Sequence, residues 1–204
     1  MKATMIGGTL VVFVPGMPEG EKQDIQDCLL YAEVFANRGG ETGGWAWLSH
    51  YQYALLNLGL TLTSYIVERP LLISNVHQVR DYQVQIAGTG NTQPLAEHLG
   101  AMFDGLSLER DALSYLMNPP DEARSTRYQC VPCEMTHHGE FLIFVCGLQL
   151  TCTSPEANPG LSFVQLNAKG GSFLFEPGVY ESQRAEVQQV VGEWAATMIK
   201  EVEL

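Results

Sequence analysis

The stretch TGGWAWLSHYQYALLNLGLTLTSYIV, residues 42–67, contains no charged side chain. A segment that avoids charge over this length has few ways to sit in water, so other parts of the chain must cover it. We therefore predict that the centre of the hydrophobic core lies here and that the remaining elements pack around it.

The central stretch divides at Gly59 into two different periodicities. Before it, Trp47, Tyr51 and Leu55 recur every four residues, which is typical of a helix. After it, residues 60–67 are rich in β-branched and aromatic side chains, which favour a strand. Two membrane hypotheses are alternatives: a spanning segment, or a segment over 45–67 that inserts only after refolding. Polar residues scattered along the stretch argue against spanning.

Towards the N-terminus, the pattern predicts a strand followed by a helix. Residues 9–14 are read as a strand rather than as part of a signal peptide, because no small-x-small cleavage site precedes Pro15. Pro18 and Glu19 open a helix with one apolar face, and the sequence Asn37-Arg-Gly-Gly40 ends it, since glycine favours helix ends.

On the other side of the central stretch, the sequence predicts two strands, a loop and two helices. Their bounds are 71–76, 79–87, 88–93, 94–106 and 107–117. The loop lies between a strand and a helix and contains two glycines, as phosphate-binding loops do, but the third glycine of the dinucleotide pattern is absent. An ordinary loop, with Asn91 or Thr92 near the helix cap, is the better interpretation.

The C-terminal part is predicted as two hairpins and a helix. Residues 127–136 and 140–153 form the first hairpin, which turns at 137–139. Residues 161–167 and 172–176 form the second around Ala168-Lys-Gly-Gly171, and a helix runs from about Gly178 to Val202. The fold class is therefore α+β: one domain over residues 1–204, with a largely antiparallel sheet packed against N-terminal, middle and C-terminal helices.

The charge balance restricts the class of partner. Lys and Arg total 11 against 23 Asp and Glu, which gives a net charge of −12 and a pI near 4.7. Such a chain repels nucleic acid and anionic membranes, whereas a protein partner or self-association remains compatible with it. The first functional hypothesis is a non-enzymatic acidic protein that acts through protein contacts, as an assembly subunit or as an inhibitor or immunity-type binder of a basic partner.

The cysteines provide a second hypothesis, a metal-binding or thiol-dependent protein. Cys130-x-x-Cys133 is followed by His137 and His138, which supplies soft ligands close in sequence for a tetrahedral zinc ion. A fourth ligand would come from His138, Cys146 or Cys152. The competing interpretation is that the cysteines are buried strand residues and the histidines belong to an exposed turn.

Redox and catalytic roles have less support. The Cys-x-x-Cys pair lies in a strand-like segment rather than at a helix N-terminus, where thiols are usually activated. No Gly-x-Ser-x-Gly occurs, and His50, His77 and His98 have no sequence context that marks a catalytic base. No catalytic residue or organic cofactor is predicted, and an enzyme is less favoured than a binding protein. A third functional hypothesis is a secreted, membrane-active effector that uses residues 45–67.

The odd number of cysteines indicates a reducing compartment. The chain has five, at positions 28, 130, 133, 146 and 152, and it is too large to need disulfide staples. We expect them to be mostly reduced and the protein to be cytoplasmic, while export without a cleaved signal stays open.

Overall fold

A computed structural model describes residues 2–39, 44–88, 93–120, 122–153 and 162–203. The strands are β1 Lys2–Ile6, β2 Thr9–Phe13, β3 Thr61–Ile66, β4 Leu71–Ile73, β5 Ile86–Gly88, β6 Arg124–Met135, β7 Phe141–Thr153, β8 Phe163–Phe175 and β9 Ile199–Glu203. The helices are α1 Glu19–Arg38, α2 Gly44–Asn57, α3 His77–Arg80, α4 Gln93–Asp104, α5 Leu108–Met117, α6 Pro177–Tyr180, α7 Arg184–Gly192 and α8 Ala195–Met198. The predicted loop at 88–93 lies mostly outside the described residues.

One mixed, mainly antiparallel sheet connects these elements. In the described part of the chain it has nine strands in the order β5-β3-β8-β7-β6-β2-β1-β9, and β4 also pairs with β8. The long strands β6, β7 and β8 form an antiparallel meander in its centre. β2 pairs in parallel with β6, and the chain between them, which includes α1 to α5, makes the long crossover that parallel pairing needs. The α+β class is confirmed.

A hydrophobic core covers each face of the sheet. On the first face, α1, α2 and α7 pack over the sheet around Trp47, Tyr51 and Val187. On the second face, α3, α4 and α5 pack over it around Val79, Leu99 and Leu108. No helix among the described residues is long and apolar enough to cross a membrane.

The central stretch folds as predicted, into the helix α2 and the strand β3 with Gly59 between them. Trp47, Tyr51 and Leu55 are buried. The predicted first strand, the N-terminal helix, the two middle helices and the first C-terminal hairpin are also confirmed. That hairpin pairs Met135 with Phe141 next to the turn.

The prediction of a second C-terminal hairpin is wrong, because β8 runs without a break through Ala168-Lys-Gly-Gly171. Gly170 lies opposite Cys146 in the β7–β8 ladder, and a Cβ at Gly170 would lie 1.9 Å from the carbonyl oxygen of Val145. The two glycines therefore permit close approach of neighbouring strands rather than a reversal of the chain. The meander partner of β8 is β7, and the connection between them includes residues 154–161, outside the described part.

The predicted C-terminal helix is also wrong. The segment forms three short helices, α6 to α8, and then the strand β9. Val202, predicted on the helix stripe, pairs with Ala3 of β1. The reason is tertiary: β1 offers an unpaired edge, and pairing with β9 satisfies its backbone groups. β1 itself was not predicted.

The predicted strand 79–87 is mostly wrong. Val79 belongs to the short helix α3, and only residues 86–87 of the predicted range lie in β5. The side chain of Asn75 accepts a hydrogen bond from the His77 N–H at 3.0 Å, and Gln78 Oε1 accepts one from the Ser74 N–H at 2.8 Å. These side-chain bonds favour a turn of helix over a ladder.

Candidate functional site

The structure does not bring the predicted metal ligands together. Cys130 and Cys133 are three residues apart on β6, so their side chains point to opposite faces of the sheet. Cys130 lies in the second-face core and Cys133 in the first-face core. Burial raises the pKa of both thiols well above the ordinary cysteine value, which disfavours the thiolate that a metal needs.

His137 and His138 lie in the exposed turn between β6 and β7, with ring centroids 4.0 Å apart. The hydroxyl of Thr136 accepts a hydrogen bond from the His138 N–H at 3.3 Å and so fixes the turn. Across the described ranges, no three His, Cys, Asp or Glu side chains form a group that could hold a metal ion. The four predicted ligands therefore do not form a zinc site in this structure.

A surface beside α2 and β3 exposes large apolar side chains instead. We call it the α2–β3 surface; it comprises Tyr53, Leu56, Leu62, Tyr65 and Val179. Both tyrosines are 57% exposed, and Leu56 and Leu62 are 44% and 46% exposed. Exposed apolar side chains that form contiguous patches mark interaction sites in soluble proteins.

The backbone explains why these side chains are neighbours within α2 and share one face within β3. Tyr53 and Leu56 are three residues apart on α2 and so neighbour each other on the helix surface. Leu62 of β3 pairs with Phe173 of β8, which belongs to the first-face core. Tyr65 pairs with Gly171, which is two residues before Phe173 on β8 and so lies on the same face. The side chains of Leu62 and Tyr65 therefore point to the first face. The register shift between Leu62 and Ser64 is what puts them on one side.

Val179 joins the surface at the α2–β3 connection. A Cβ placed on Gly59 would lie 2.5 Å from Val179 Cγ1, so α6 packs against the turn that follows α2. The α2–β3 surface thus combines α2 and β3, which follow each other in the chain, with the C-terminal helix α6, which is distant from them in sequence.

Aromatic contacts extend this surface towards α1. The rings of Phe35 and Tyr53 have centroids 6.3 Å apart, and those of Tyr31 and Phe35 are 6.4 Å apart. Aromatic side chains supply much of the contact energy at protein interfaces.

Three carboxylates are close in sequence to residues of the α2–β3 surface. Glu68 follows β3, while Glu176 and Glu181 lie on either side of α6, and all three are exposed. Arg184 contacts both Asp24 and Glu181, so this one guanidinium balances two carboxylates. The edge near α6 therefore keeps an excess of negative charge.

A partly buried hydrogen-bond network holds α2 in position against α1. The carboxylate of Glu33, on α1, accepts bonds from the Thr9 hydroxyl at 3.0 Å and the Gly8 N–H at 3.3 Å. Asn37 Nδ2 donates to Glu33 Oε1 at 3.5 Å, and Trp47 Nε1 donates to Asn37 Oδ1 at 2.8 Å. The network connects the β1–β2 turn, α1 and α2, and so it fixes the position of α2 relative to the other two elements.

Burial gives this network a pH dependence. Glu33 is 3% exposed, and desolvation raises its pKa above the ordinary value of 4.5, although the bonds from Gly8 and Thr9 and the charge of Arg127 act in the opposite direction. The folded protein therefore binds this proton more tightly than the unfolded chain does. Stability contributed by the protonated carboxyl is present below pH 4.5 and is lost as pH rises through the raised pKa.

We expect Glu33→Gln to lose that dependence, because the amide has no charge to desolvate. Between pH 4 and pH 7 the melting temperature of the wild type should fall relative to that of the variant. Thermal unfolding followed by circular dichroism measures the difference, and Glu140→Gln in the exposed β6–β7 turn serves as the control. Parallel curves for the wild type and Glu33→Gln would contradict the raised pKa.

Sequence reasoning missed the α2–β3 surface because it assigned the whole central stretch to the core. Tyr51 and Tyr53, or Leu55 and Leu56, are the same residue types with opposite burial. A weak signal was present: positions 47, 48, 51, 54, 55 and 58 complete one helical stripe and leave 53 and 56 outside it.

Comparisons with known proteins add little to this description. No protein-family model matches the chain, and no curated protein does. Among solved structures it is similar to one described as "Structure of the Evf virulence factor", with 13% sequence identity and a TM-score of 0.38, over 93% of this chain and 84% of that chain. A likeness at this level carries no argument about the function of the chain.

Proposed function

We propose that the chain is a non-enzymatic binding protein that acts by contacting a basic protein partner through the α2–β3 surface. The observation that carries this proposal is the exposure of four large apolar side chains on two elements that follow each other in the chain, Tyr53 and Leu56 on α2 and Leu62 and Tyr65 on β3. An apolar centre rich in aromatic side chains and surrounded by polar residues has the composition of a protein interface.

The charge of the chain supports a basic partner. The net charge is −12, and the exposed residues Glu68, Glu176 and Glu181 are close in sequence to Tyr65 or Val179; of these, Glu68 and Glu181 also pair with Lys169 and Arg184. Carboxylates at the rim of an interface accelerate the approach of a cationic protein and disfavour anionic ones, while the apolar centre supplies most of the affinity. Nucleic acid does not fit this arrangement.

The cysteines support a reducing, cytoplasmic location for this binding. Cys28, Cys130, Cys133, Cys146 and Cys152 are all free and buried. Free thiols without disulfides are usual where glutathione keeps cysteine reduced.

A matched set of variants tests the proposal. The wild type, the double variant Leu56→Ser/Leu62→Ser and the control Leu113→Ser are immobilised and exposed to an extract of the source cells. Leu113 lies on α5 against the other face of the sheet and is 47% exposed, close to the 46% of Leu62. We expect the wild type and the control to retain the same basic protein and the double variant to lose it at least tenfold.

Two results would contradict the proposal. Equal capture by all three proteins would place the contact elsewhere. Saturable binding of the wild type, but not of the double variant, to neutral phosphatidylcholine vesicles would make the α2–β3 surface a membrane contact. Sedimentation of the wild type alone, before the capture, gives its oligomeric state. An oligomer would indicate an assembly subunit that binds copies of itself, and a monomer would indicate that the partner is a different protein.

A further inference from the structure

The first face of the sheet changes from apolar to polar beside the N-terminal end of α2. Strand alternation brings every second residue of β6, β7 and β8 to this face, and the register aligns them in two rows. One row is Arg127, Gln149 and Asn167, and the next is Gln129, Gly147 and Lys169. We call these two rows the polar rows.

Two of the few cations in the chain lie in the polar rows and contact tryptophans of α2. The Cζ atom of Arg127 is 3.7 Å from the ring centroid of Trp47. The Nζ atom of Lys169 is 5.1 Å from the ring centroid of Trp45. Stacking on an aromatic ring holds a cationic group in place, and Nη1 of Arg127 stays available to bind another group.

The polar rows contain buried hydrogen-bonding groups without partners. Gln129 is 2% exposed, and neither its amide nitrogen nor its amide oxygen has a hydrogen-bond partner in the described part of the chain. The same holds for Nη1 of Arg127, a buried atom of a half-buried side chain. Buried polar atoms in folded proteins are nearly always paired, so these atoms indicate an occupant that supplies the missing partners.

Charge at this position also favours an anion. Within the described ranges, no carboxylate lies within ion-pair distance of Arg127, although Glu33 affects its pKa from farther away. Lys169 pairs with Glu68 at 3.0 Å. The first turn of α2 contains no acidic residue, so no carboxylate of that turn offsets the positive end of its backbone dipole.

Solvent can reach the polar rows from the side of Arg127, Gln149, Asn167 and Lys169. Each of these four side chains is partly exposed, whereas Gln129 is buried. A ligand that approaches from solvent therefore meets these four side chains before it reaches Gln129.

We propose that the polar rows bind a small molecule that carries an oxyanion next to a hydroxyl group. Arg127 and the Gln129 amide nitrogen donate to the oxyanion, and Lys169 supplies further positive charge. The oxygen of the Gln129 amide accepts from the hydroxyl of the ligand. This binding site meets the α2–β3 surface at the ion pair of Lys169 with Glu68, but it does not depend on the protein partner.

The experiment uses the fluorescence of Trp45 and Trp47, whose rings contact the two cations, together with isothermal titration calorimetry. The probes are lactate and glycerol phosphate, which carry a hydroxyl beside a carboxylate and a phosphate, and acetate and inorganic phosphate, which are the matched anions. Comparison of lactate and acetate with glycerol phosphate and inorganic phosphate shows whether the oxyanion that binds is a carboxylate or a phosphate. Because the net charge of −12 opposes non-specific anion binding, saturation reports on a defined site.

The variants are Arg127→Lys and Lys169→Gln, with Lys200→Gln on β9 as the control because it removes the same charge from an exposed position. We expect the wild type and the control to bind one hydroxylated probe with at least tenfold higher affinity than either test variant. Lys169 is partly exposed, so its variant should fold even if Arg127→Lys does not. Absence of saturable binding for all four probes, or equal affinity of Lys169→Gln and Lys200→Gln, would overturn the proposal.

Discussion

The substitution Gly170→Ala is expected to destabilise the fold by about 3 kcal/mol or more. Gly170 has φ +140°, and a Cβ there would lie 1.9 Å from the carbonyl oxygen of Val145 on the neighbouring strand. The carbonyl group of Val145 belongs to the backbone, so it cannot move aside as the end of a flexible side chain can. The central strands β7 and β8 would therefore have to separate at this point, which the free energy of unfolding measured by urea denaturation would show.

Gly100→Ala provides the control for this prediction. Gly100 lies in α4, and a Cβ placed on it would have open space around it, with no atom of the described residues within 4 Å. Alanine there should stabilise the fold by about 0.5–1 kcal/mol through its higher helix propensity. If Gly170→Ala unfolds at the same urea concentration as the wild type, β8 does not pass through this position as a continuous strand. The hairpin predicted from the sequence would then describe these residues better.

Trp47→Ala should have the other large effect, a loss of about 3–5 kcal/mol. The indole is 1% exposed and stacks on Tyr51 with ring centroids 5.2 Å apart. It also donates to Asn37 at 2.8 Å and carries the guanidinium of Arg127 on its face. Alanine would leave a cavity and remove the bond between α1 and α2 in one step.

The comparison is with Trp194→Ala, which removes a tryptophan that is 39% exposed. Urea denaturation followed by far-ultraviolet circular dichroism measures both variants without relying on the deleted fluorophore. A loss for Trp47→Ala no larger than that for Trp194→Ala would mean that α2 is not anchored through this side chain.

The sequence was sufficient for elements whose pattern and packing agree. Trp47, Tyr51 and Leu55 form the apolar stripe of α2, and this stripe faces the core, so the three side chains are buried. The hairpin at His137 to Gly139 was predictable because strand alternation and turn residues coincide.

Prediction failed where a distant strand decided the local structure. Gly170 and Gly171 have turn composition, but β7 runs so close to Gly170 that no side chain fits. Val202 has helical spacing from Met198, but the edge of β1 recruits it into β9. Neither neighbour can be read from the local sequence.

The functional surfaces were harder to predict than the fold. The distinction between Leu55 and Leu56 depends on which side of α2 meets the sheet. The polar rows did leave a signal, because Gln165, Asn167 and Lys169 alternate with apolar residues in β8. That alternation is typical of a strand with one polar face, and its continuation to Lys169 contradicts the turn predicted at residues 168–171.

Hydroxyl-radical footprinting of the chain with its captured partner tests the central claim most directly. Tyr53 and Tyr65 are exposed in the free protein, and so are Leu113 and Met117 on α5, so we expect hydroxyl radicals to modify all four side chains. We predict that the partner protects Tyr53 and Tyr65 and leaves the two α5 side chains as reactive as before. Protection of Leu113 and Met117, with Tyr53 and Tyr65 unchanged, would contradict the assignment of the α2–β3 surface as the contact.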